Sequence, residues 1–280
     1  LDMNTYRPLE HDNPDYLCKE VIINKIKEES PSLIGFSCLF SGHFPLAIKM
    51  AEDIKEQFPD VKIVFGGIHP TIFSEEILQN CKCVDFVVIG EGETQIIALV
   101  DALEKGKIGE IQKIGPFGYR NNHGKVVINP RINGYIKNLD ELPLPAYDLL
   151  DLEKYFHDLS HWHNPKNLTF RMTMPILTSR SCPYKCSFCS MWLTMGSSIR
   201  FRSSKMVVDE IEALYNKYGL NHFSFVDDNI TLNKNHIIGI CEEIKKRNLN
   251  IQFETPNGVY INSLDKEVID AMVEAGWVRG

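Results

Sequence analysis

Three of the eight cysteines lie within one eight-residue segment of the 280-residue chain. Three residues separate Cys182 from Cys186, and two separate Cys186 from Cys189. Thiolates are the usual protein ligands of iron–sulfur clusters, and three of them suit a four-iron, four-sulfur cubane whose remaining iron stays open to a substrate. Structural zinc is the alternative, but a zinc site usually takes four ligands in Cys-x-x-Cys pairs. No second such pair stands nearby in the sequence, so the spacing favours the iron–sulfur cluster.

Strands and helices alternate around this cysteine segment. Strand patterns occupy 175–179, 222–226 and 251–254, and helical patterns follow at about 205–218, 234–247 and 265–274. Three consecutive strand–helix units are the beginning of a parallel barrel. The cysteine loop leaves the carboxyl end of the first strand, which is the end where barrel enzymes carry their active-site residues.

Polar residues follow the second and third of these strands. Asp227, Asp228 and Asn229 end the second strand, and Asn257 stands in a Pro-Asn-Gly turn after the third. A carboxylate at this rim could accept charge-assisted hydrogen bonds from an ammonium group. Turns and helix caps also select Asp and Asn, so both interpretations stay open.

The N-terminal half alternates in the same way. Strand patterns occupy 33–39, 62–65 and 86–89, and helical patterns follow at about 45–58, 73–79 and 94–103. This order predicts a doubly wound parallel sheet. A hairpin signal follows, at 119–128.

Small residues stand where these N-terminal strands end. They are Ser37, Gly66, Gly67, Gly90 and Gly92. Open parallel sheets bind ligands along their carboxyl edge, and glycine lets the backbone come close to a ligand. Turns alone would also select glycine, so each segment by itself is a weak signal.

These patterns divide the chain into three parts. We expect an α/β domain at 1–135, a linker at 136–170 that contains a proline-rich stretch, and half of a barrel at 171–280. The proline-rich stretch places the boundary near residue 150, to within several residues.

Composition excludes several classes of protein. Thirty Lys and Arg against thirty-seven Asp and Glu give a net charge of -7, and the scattered basic residues do not favour nucleic acid as a partner. No stretch approaches the ~20 apolar residues that span a bilayer, and the first residues lack the order of a signal peptide. We therefore expect a cytoplasmic protein, in which clustered cysteines point to metal or redox chemistry.

The cysteine segment resembles the hallmark of the radical S-adenosylmethionine (SAM) superfamily. That hallmark is Cys-x-x-x-Cys-x-aromatic-Cys after the first barrel strand, matched here with Phe188 as the aromatic residue. The resemblance implies that SAM chelates the open iron and is cleaved reductively to a 5'-deoxyadenosyl radical. It also implies that Phe188 lies near the adenine, while Asp227, Asp228, Asn229 and Asn257 are our candidates for SAM contacts.

The glycine-rich edge and the linker stretch 139–146 together resemble the cobalamin-binding members of that superfamily. The resemblance implies that Ser37, Gly66, Gly67, Gly90 and Gly92 approach the corrinoid. The Asp-x-His-x-x-Gly motif that supplies the lower cobalt ligand in many cobalamin domains is absent from the sequence. We therefore do not expect a protein histidine on the cobalt.

The resemblance also implies a fold longer than this sequence. Radical SAM barrels typically have six strand–helix units, and the sequence ends at 276–280, where a fourth strand should begin. We therefore expect truncation at both ends, with the first strand and helix of the N-terminal domain missing. We also expect the third barrel strand to be left as an unpaired edge.

The leading functional hypothesis is a cobalamin-dependent radical SAM enzyme that methylates an unactivated carbon of a small molecule. A low-potential electron donor such as flavodoxin or ferredoxin would reduce the cluster. The alternatives are a radical SAM cyclase or rearrangement enzyme, a corrinoid or metal carrier, and a methylthiotransferase acting on tRNA or protein. The last needs a second cluster, for which the sequence offers Cys18, Cys38, Cys81 and Cys83.

Replacing Cys186 with Ala should abolish both the reduced-cluster signal and 5'-deoxyadenosine production, because a cubane that loses one of three ligands is poorly held. Iron content and electron paramagnetic resonance (EPR) after anaerobic reconstitution measure the first effect, and chromatography measures the second. Cys241→Ala is the control, since Cys241 sits at core spacing in a helix, and it should leave both readouts intact. Normal iron content in Cys186→Ala would contradict the assignment of the three cysteines as cluster ligands.

Overall fold

The computed structural model describes residues 14–107, 115–129, 135–155, 165–166 and 172–280. These residues form two compact units. The first contains the described residues up to Ile136 together with Leu193–Met195, and the second contains the rest. No helix in the described ranges is both long and apolar enough to cross a membrane.

The first unit holds one mixed sheet and five helices. Its strands are β1 (Leu33–Ser37), β2 (Lys62–Gly66), β3 (Phe86–Val88), β4 (Phe117–Arg120) and β5 (Val126–Ile128). Its helices are α1 (Pro14–Glu29), α2 (Phe44–Gln57), α3 (Ile68–Ile72), α4 (Ser74–Asn80) and α5 (Glu93–Glu104).

Both faces of this sheet are covered, as the predicted doubly wound fold requires. Strands β1, β2 and β3 are parallel neighbours in chain order, and the β4–β5 hairpin continues the sheet in antiparallel fashion beyond β3. Side chains alternate along β2, so that Phe65 packs with α1, α2 and α4 while Val64 packs with α5. Runs of buried apolar residues are typical of parallel strands covered on both faces.

The second unit consists mainly of strand–helix units. Its strands are β6 (Met174–Ile176), β7 (Ser179–Arg180), β8 (Arg200–Phe201), β9 (His222–Phe225), β10 (Gln252–Glu254) and β11 (Trp277–Arg279). Its main helices are α7 (Ser204–Tyr218), α8 (Lys234–Lys246) and α9 (Lys266–Ala275). The short α6 (Met191–Thr194) lies in the loop between β7 and β8, and its last two residues are counted with the first unit.

The main sheet of this unit is parallel throughout, in the order β6, β9, β10, β11. Helices α7, α8 and α9 cover one face, where Phe223, Phe225 and Phe253 form the centre of the core. The expectation that the third barrel strand is an unpaired edge is wrong. Trp277–Arg279 forms a fourth strand, which pairs with β10.

The described part of the proposed linker is held against the second unit. Leu139 is buried, and the Asp140 carboxylate accepts a hydrogen bond from the Ser203 backbone N–H at 2.8 Å. The Tyr147 hydroxyl donates to the Glu210 carboxylate. This stretch is therefore packed structure and not a free tether.

The turn after β2 depends on one glycine. Gly67 has φ 102° and ψ -172°, a region that is essentially restricted to glycine. A Cβ atom at Gly67 would lie 2.6 Å from the Cys38 carbonyl oxygen, whereas one at Gly66 would meet nothing closer than Val88 at 3.8 Å. The backbone conformation at position 67 is therefore sufficient by itself to require glycine there.

Gly67→Ala should lower the free energy of unfolding by about 3 kcal/mol or more, because backbone strain and a backbone collision add together. Gly66→Ala is the matched control and should change it by less than about 1 kcal/mol. Urea unfolding of the two variants measures both effects. Equal stabilities would contradict this account of the turn.

Candidate functional site

The cysteine loop is closed by a short two-stranded stem. Strands β7 and β8 pair in antiparallel fashion, with Ser179 opposite Phe201 and Arg180 opposite Arg200. Inside the stem, the buried Ser181 has a positive φ of 75°, and its hydroxyl donates to the Gly196 carbonyl at 2.7 Å. The segment that carries the cysteines therefore begins from a fixed base.

The three predicted cluster ligands all lie on this loop. Cys186 is exposed and Cys182 and Cys189 are half-buried. Burial raises the pKa of the Cys182 thiol, and the nearby Asp228 carboxylate and the other two cysteines act in the same direction. Across the described residues, no three His, Cys, Asp or Glu side chains are arranged as the ligands of one metal ion. The loop thus brings the thiols near one another without placing them in ligand geometry.

The two faces of the main sheet in the second unit carry different residues. Parallel strands place paired residues on the same face, and Met174, Phe223 and Phe253 are paired in this way on the helix-covered face. Pro175, Ser224 and Glu254 form the equivalent row on the opposite face. In a barrel that opposite face is the interior.

Asp227 lies on the helix-covered side, beyond the end of β9. It is 2% exposed, and its carboxylate accepts hydrogen bonds from the Thr178 backbone N–H and from the Thr178 and Ser179 hydroxyls. Burial raises the pKa of Asp227, while these donors lower it. The described hydrogen bonds of its carboxylate therefore all come from the base of the cysteine loop.

The other residues of the predicted SAM set have different surroundings. Asp228 is half-buried, which raises its pKa, and it lies near Cys182. The buried Asn229 accepts a hydrogen bond from the Thr231 hydroxyl, and Asn257 donates to the backbone carbonyls of Val226 and Asp227. Phe188 is 91% exposed. We predicted these residues as one SAM-binding set. In the structure Asn257 bonds the backbone of Asp227, while Asp228, Asn229 and Phe188 have other surroundings.

Sequence reasoning missed a polar group on the interior face. Glu254 is buried, accepts a hydrogen bond from the Ser224 hydroxyl at 2.7 Å and pairs with Arg279 at 2.9 Å. A carboxylate at the end of the strand pattern 251–254, directly before the Thr-Pro-Asn-Gly turn, was the signal that could have identified it. Glu254 therefore places its charge on the face of the sheet that a barrel directs toward its substrate.

The predicted glycine-rich edge of the first unit is assembled by hydrogen bonds between loops. The Cys38 N–H donates to the Gly66 carbonyl at 2.8 Å, and the His69 N–H donates to the Cys38 carbonyl at 3.2 Å. The Gly90 N–H donates to the Thr71 hydroxyl at 2.9 Å. The carboxyl ends of β1, β2 and β3 are therefore brought together, and Ser37 is exposed beside them while Gly92 begins α5.

Aromatic residues that sequence reasoning overlooked lie at the same edge. The His69 ring lies between Phe44 at 4.3 Å and Phe73 at 4.8 Å, and its Nδ1 is 2.8 Å from the Ser41 hydroxyl. Phe73 is 40% exposed, and Phe40, near the end of the loop after β1, is 66% exposed. The edge thus combines close-packed backbone with exposed apolar surface.

The remaining cysteines of the first unit have the surroundings of core residues. Cys38 and Cys83 are buried and Cys81 is half-buried. Burial raises the pKa of all three, that of Cys83 to about 11. Protonated thiols do not bind iron well. The side chain of Cys18 lies outside the described residues.

Both halves of the sequence match known families. Residues 6–100 match the B12 binding domain, and residues 176–279 match the radical SAM superfamily. The matches confirm the two kinds of domain that the sequence led us to expect, in the expected order.

Two curated relatives cover nearly the whole chain. An uncharacterized methyltransferase of Pyrococcus horikoshii is 37% identical over 253 residues, which are 90% of this chain and 51% of that protein. An anaerobic magnesium-protoporphyrin IX monomethyl ester cyclase of Rubrivivax gelatinosus is 30% identical over 264 residues, which are 94% of this chain and 45% of that protein. The chain therefore spans about half the length of these relatives.

A solved structure shares the fold. It is the radical S-adenosylmethionine methyltransferase TsrM from Kitasatospora setae with cobalamin and a 4Fe-4S cluster bound, and it matches with a TM-score of 0.71 and 19% identity over 92% of this chain and 51% of that one. The fold and its two domains define a protein that joins a B12-binding domain to a radical SAM barrel. The chain belongs to the cobalamin-binding radical S-adenosylmethionine family.

Thiol accessibility should separate the loop cysteines from the core cysteines. In iron-free protein, brief anaerobic iodoacetamide treatment should label Cys186 first, because it is exposed, and leave Cys38, Cys83 and Cys241 almost unlabelled. Burial keeps those three thiols protonated, with the pKa of Cys241 raised to about 12. Peptide mass spectrometry measures the labelling. Equal labelling of Cys186 and Cys241 would contradict the described burial.

Proposed function

We propose that this chain forms part of a cobalamin-dependent radical SAM enzyme that transfers a methyl group to an unactivated carbon of a small molecule. The observation that carries the proposal is the pairing, in one chain, of a three-cysteine loop at the carboxyl end of a barrel strand with a glycine-rich carboxyl edge on a parallel sheet. The proposed domain boundaries remain 1–135, 136–170 and 171–280.

The donor set of the loop fits a four-iron cluster. Cys182, Cys186 and Cys189 would hold three irons through thiolates, which are the ligands that iron–sulfur clusters prefer. All three sit on a loop with a fixed stem, and all three are accessible to solvent to some degree. When bound, the cluster would supply the electron that cleaves SAM, and cobalamin would carry the methyl group. A low-potential donor such as flavodoxin or ferredoxin would return the electron.

Asp228 is the residue best placed to bind the SAM ammonium. Its carboxylate lies near Cys182 and is half-buried, and carboxylate–ammonium hydrogen bonds are among the strong ones. Phe188 would cover the adenine. Asn257 would act indirectly, by joining the turn after β10 to the end of β9.

The carboxyl edge of the first unit would hold the corrinoid. Ser37, Gly66, Gly67, Gly90 and Gly92 present little side-chain bulk there, so that a large flat ligand can approach the backbone. The exposed rings of Phe40 and Phe73 offer apolar surface to the same ligand, and its burial against them would favour binding.

Cyclisation is the second candidate, because a magnesium-protoporphyrin IX monomethyl ester cyclase is 30% identical over 94% of this chain. The methylthiotransferase alternative is less well supported, because the buried thiols of Cys38 and Cys83 have raised pKa values and are poorly suited to a second cluster. A carrier without catalysis would have no use for the cysteine loop.

The products of SAM distinguish these functions. Full-length protein, reconstituted anaerobically with and without cobalamin, should contain about four irons per chain, retain cobalamin on a sizing column and release 5'-deoxyadenosine. Methyl transfer should also release S-adenosylhomocysteine, because that molecule remains when the methyl group leaves SAM. Release of 5'-deoxyadenosine alone would support cyclisation instead.

Gly92→Trp should weaken cobalamin retention without changing the iron content, because added bulk at the edge obstructs the corrin ring. Gly67 is unsuitable for this test, since even a Cβ atom collides there. Folded parent protein that retains no cobalamin at high micromolar concentration would refute the cobalamin assignment.

A further inference from the structure

We propose that Asp227 is a positioning residue for the cysteine loop: it holds the base of the loop's stem and so sets where the three thiols stand. The inference rests on the proposed function of that loop as the cluster site. It gives Asp227 a different task from that of its neighbour Asp228.

The hydrogen bonds to the Asp227 carboxylate come from two consecutive residues at the base of the loop. The Thr178 backbone N–H donates to the two carboxylate oxygens at 3.1 and 3.2 Å, the Thr178 hydroxyl donates at 2.9 Å and the Ser179 hydroxyl donates at 2.5 Å. A buried carboxylate is costly unless donors compensate it. Displacing residues 178–179 would remove these donors together, so the carboxylate resists movement of the loop's base.

His236, at the start of α8, extends this network to both strands of the stem. Its Nε2 is 2.8 Å from the Thr178 hydroxyl, and its ring centroid is 4.6 Å from that of Phe201 in β8. The Thr178 hydroxyl donates its proton to the Asp227 carboxylate. The hydroxyl oxygen can then only accept from His236, so we place the proton of the neutral His236 ring on Nε2. Burial lowers the pKa of His236 to about 4 and keeps the ring neutral. Asp227 and His236 therefore hold the stem from its two sides.

The two aspartates have different neighbours. Asp227 bonds Thr178, whose hydroxyl also contacts His236 of α8. Asp228 is the next residue and lies near Cys182. The segment after β9 can therefore fix the loop with one carboxylate and offer the other to a cofactor.

The test uses full-length protein and separates the two aspartates. Thr178→Val removes the hydroxyl at nearly constant volume, and Thr178→Ser restores it. Asp227→Asn weakens the acceptor, and Asp228→Asn is the matched contrast. Each protein is reconstituted anaerobically, and five quantities are measured: iron per chain, the rate of iron loss to a chelator, the EPR spectrum of the reduced cluster, SAM affinity, and the melting temperature of the iron-free form.

Thr178→Val and Asp227→Asn should lose iron about tenfold faster than the parent, since a charge-assisted hydrogen bond of ~1.5 kcal/mol corresponds to about that factor. The reduced-cluster EPR spectrum should broaden as the thiols become less fixed. Thr178→Ser should behave like the parent. Asp228→Asn should keep the parent's rate of iron loss and bind SAM about tenfold more weakly.

Two results would overturn the inference while leaving the proposed function standing. In one, Asp227→Asn keeps the parent's iron content and rate of iron loss but binds SAM weakly, which would make Asp227 a cofactor ligand. In the other, Thr178→Val and Asp227→Asn lower the melting temperature while the folded protein loses iron at the parent's rate, which would make the network merely structural. A folded parent that assembles no cluster would refute the proposed function, and this inference with it.

Discussion

A buried carboxylate organises the part of the second unit on which its chemistry depends. Asp227 has no cation among its described contacts and is compensated by donors from Thr178 and Ser179. Removing such donors from a buried charge is unfavourable, so the end of β9 and the base of the cysteine loop are held as one piece. Within the loop, residues 183–188 are exposed. The proposed role of Asp227 is to set the position of this loop from its base.

The first unit uses a related device at the carboxyl edge of its sheet. Backbone hydrogen bonds connect the loop after β1 to the turn after β2, and the Thr71 hydroxyl connects the loop after β3 to α3. Because Gly67 has no Cβ atom, the turn after β2 can lie close to the Cys38 carbonyl in the loop after β1. In both units a loop is anchored to strand ends, and parallel strands make this possible because all their carboxyl ends lie at the same edge.

Relatives with different named activities match most of this chain. An uncharacterized methyltransferase covers 90% of it and a magnesium-protoporphyrin IX monomethyl ester cyclase covers 94%. The cysteine loop, its anchor and the glycine-rich edge lie in the part that both relatives match. The charged group of Glu254, Ser224 and Arg279 lies on the interior face, where a barrel can vary its substrate contacts without disturbing its cofactors.

The sequence by itself determined the order of strands and helices, the two kinds of domain and the three cysteines, because periodicity, turn residues and ligand spacing are local signals. It also located the two carboxyl edges. Tertiary structure alone decided that Asp227 faces the helices while Asp228 lies near Cys182, since the face that a residue takes beyond a strand's end depends on neighbouring loops. The pairing of β11 with β10, the β7–β8 stem and the Glu254–Arg279 pair likewise join segments distant in sequence, and no local pattern specifies such contacts.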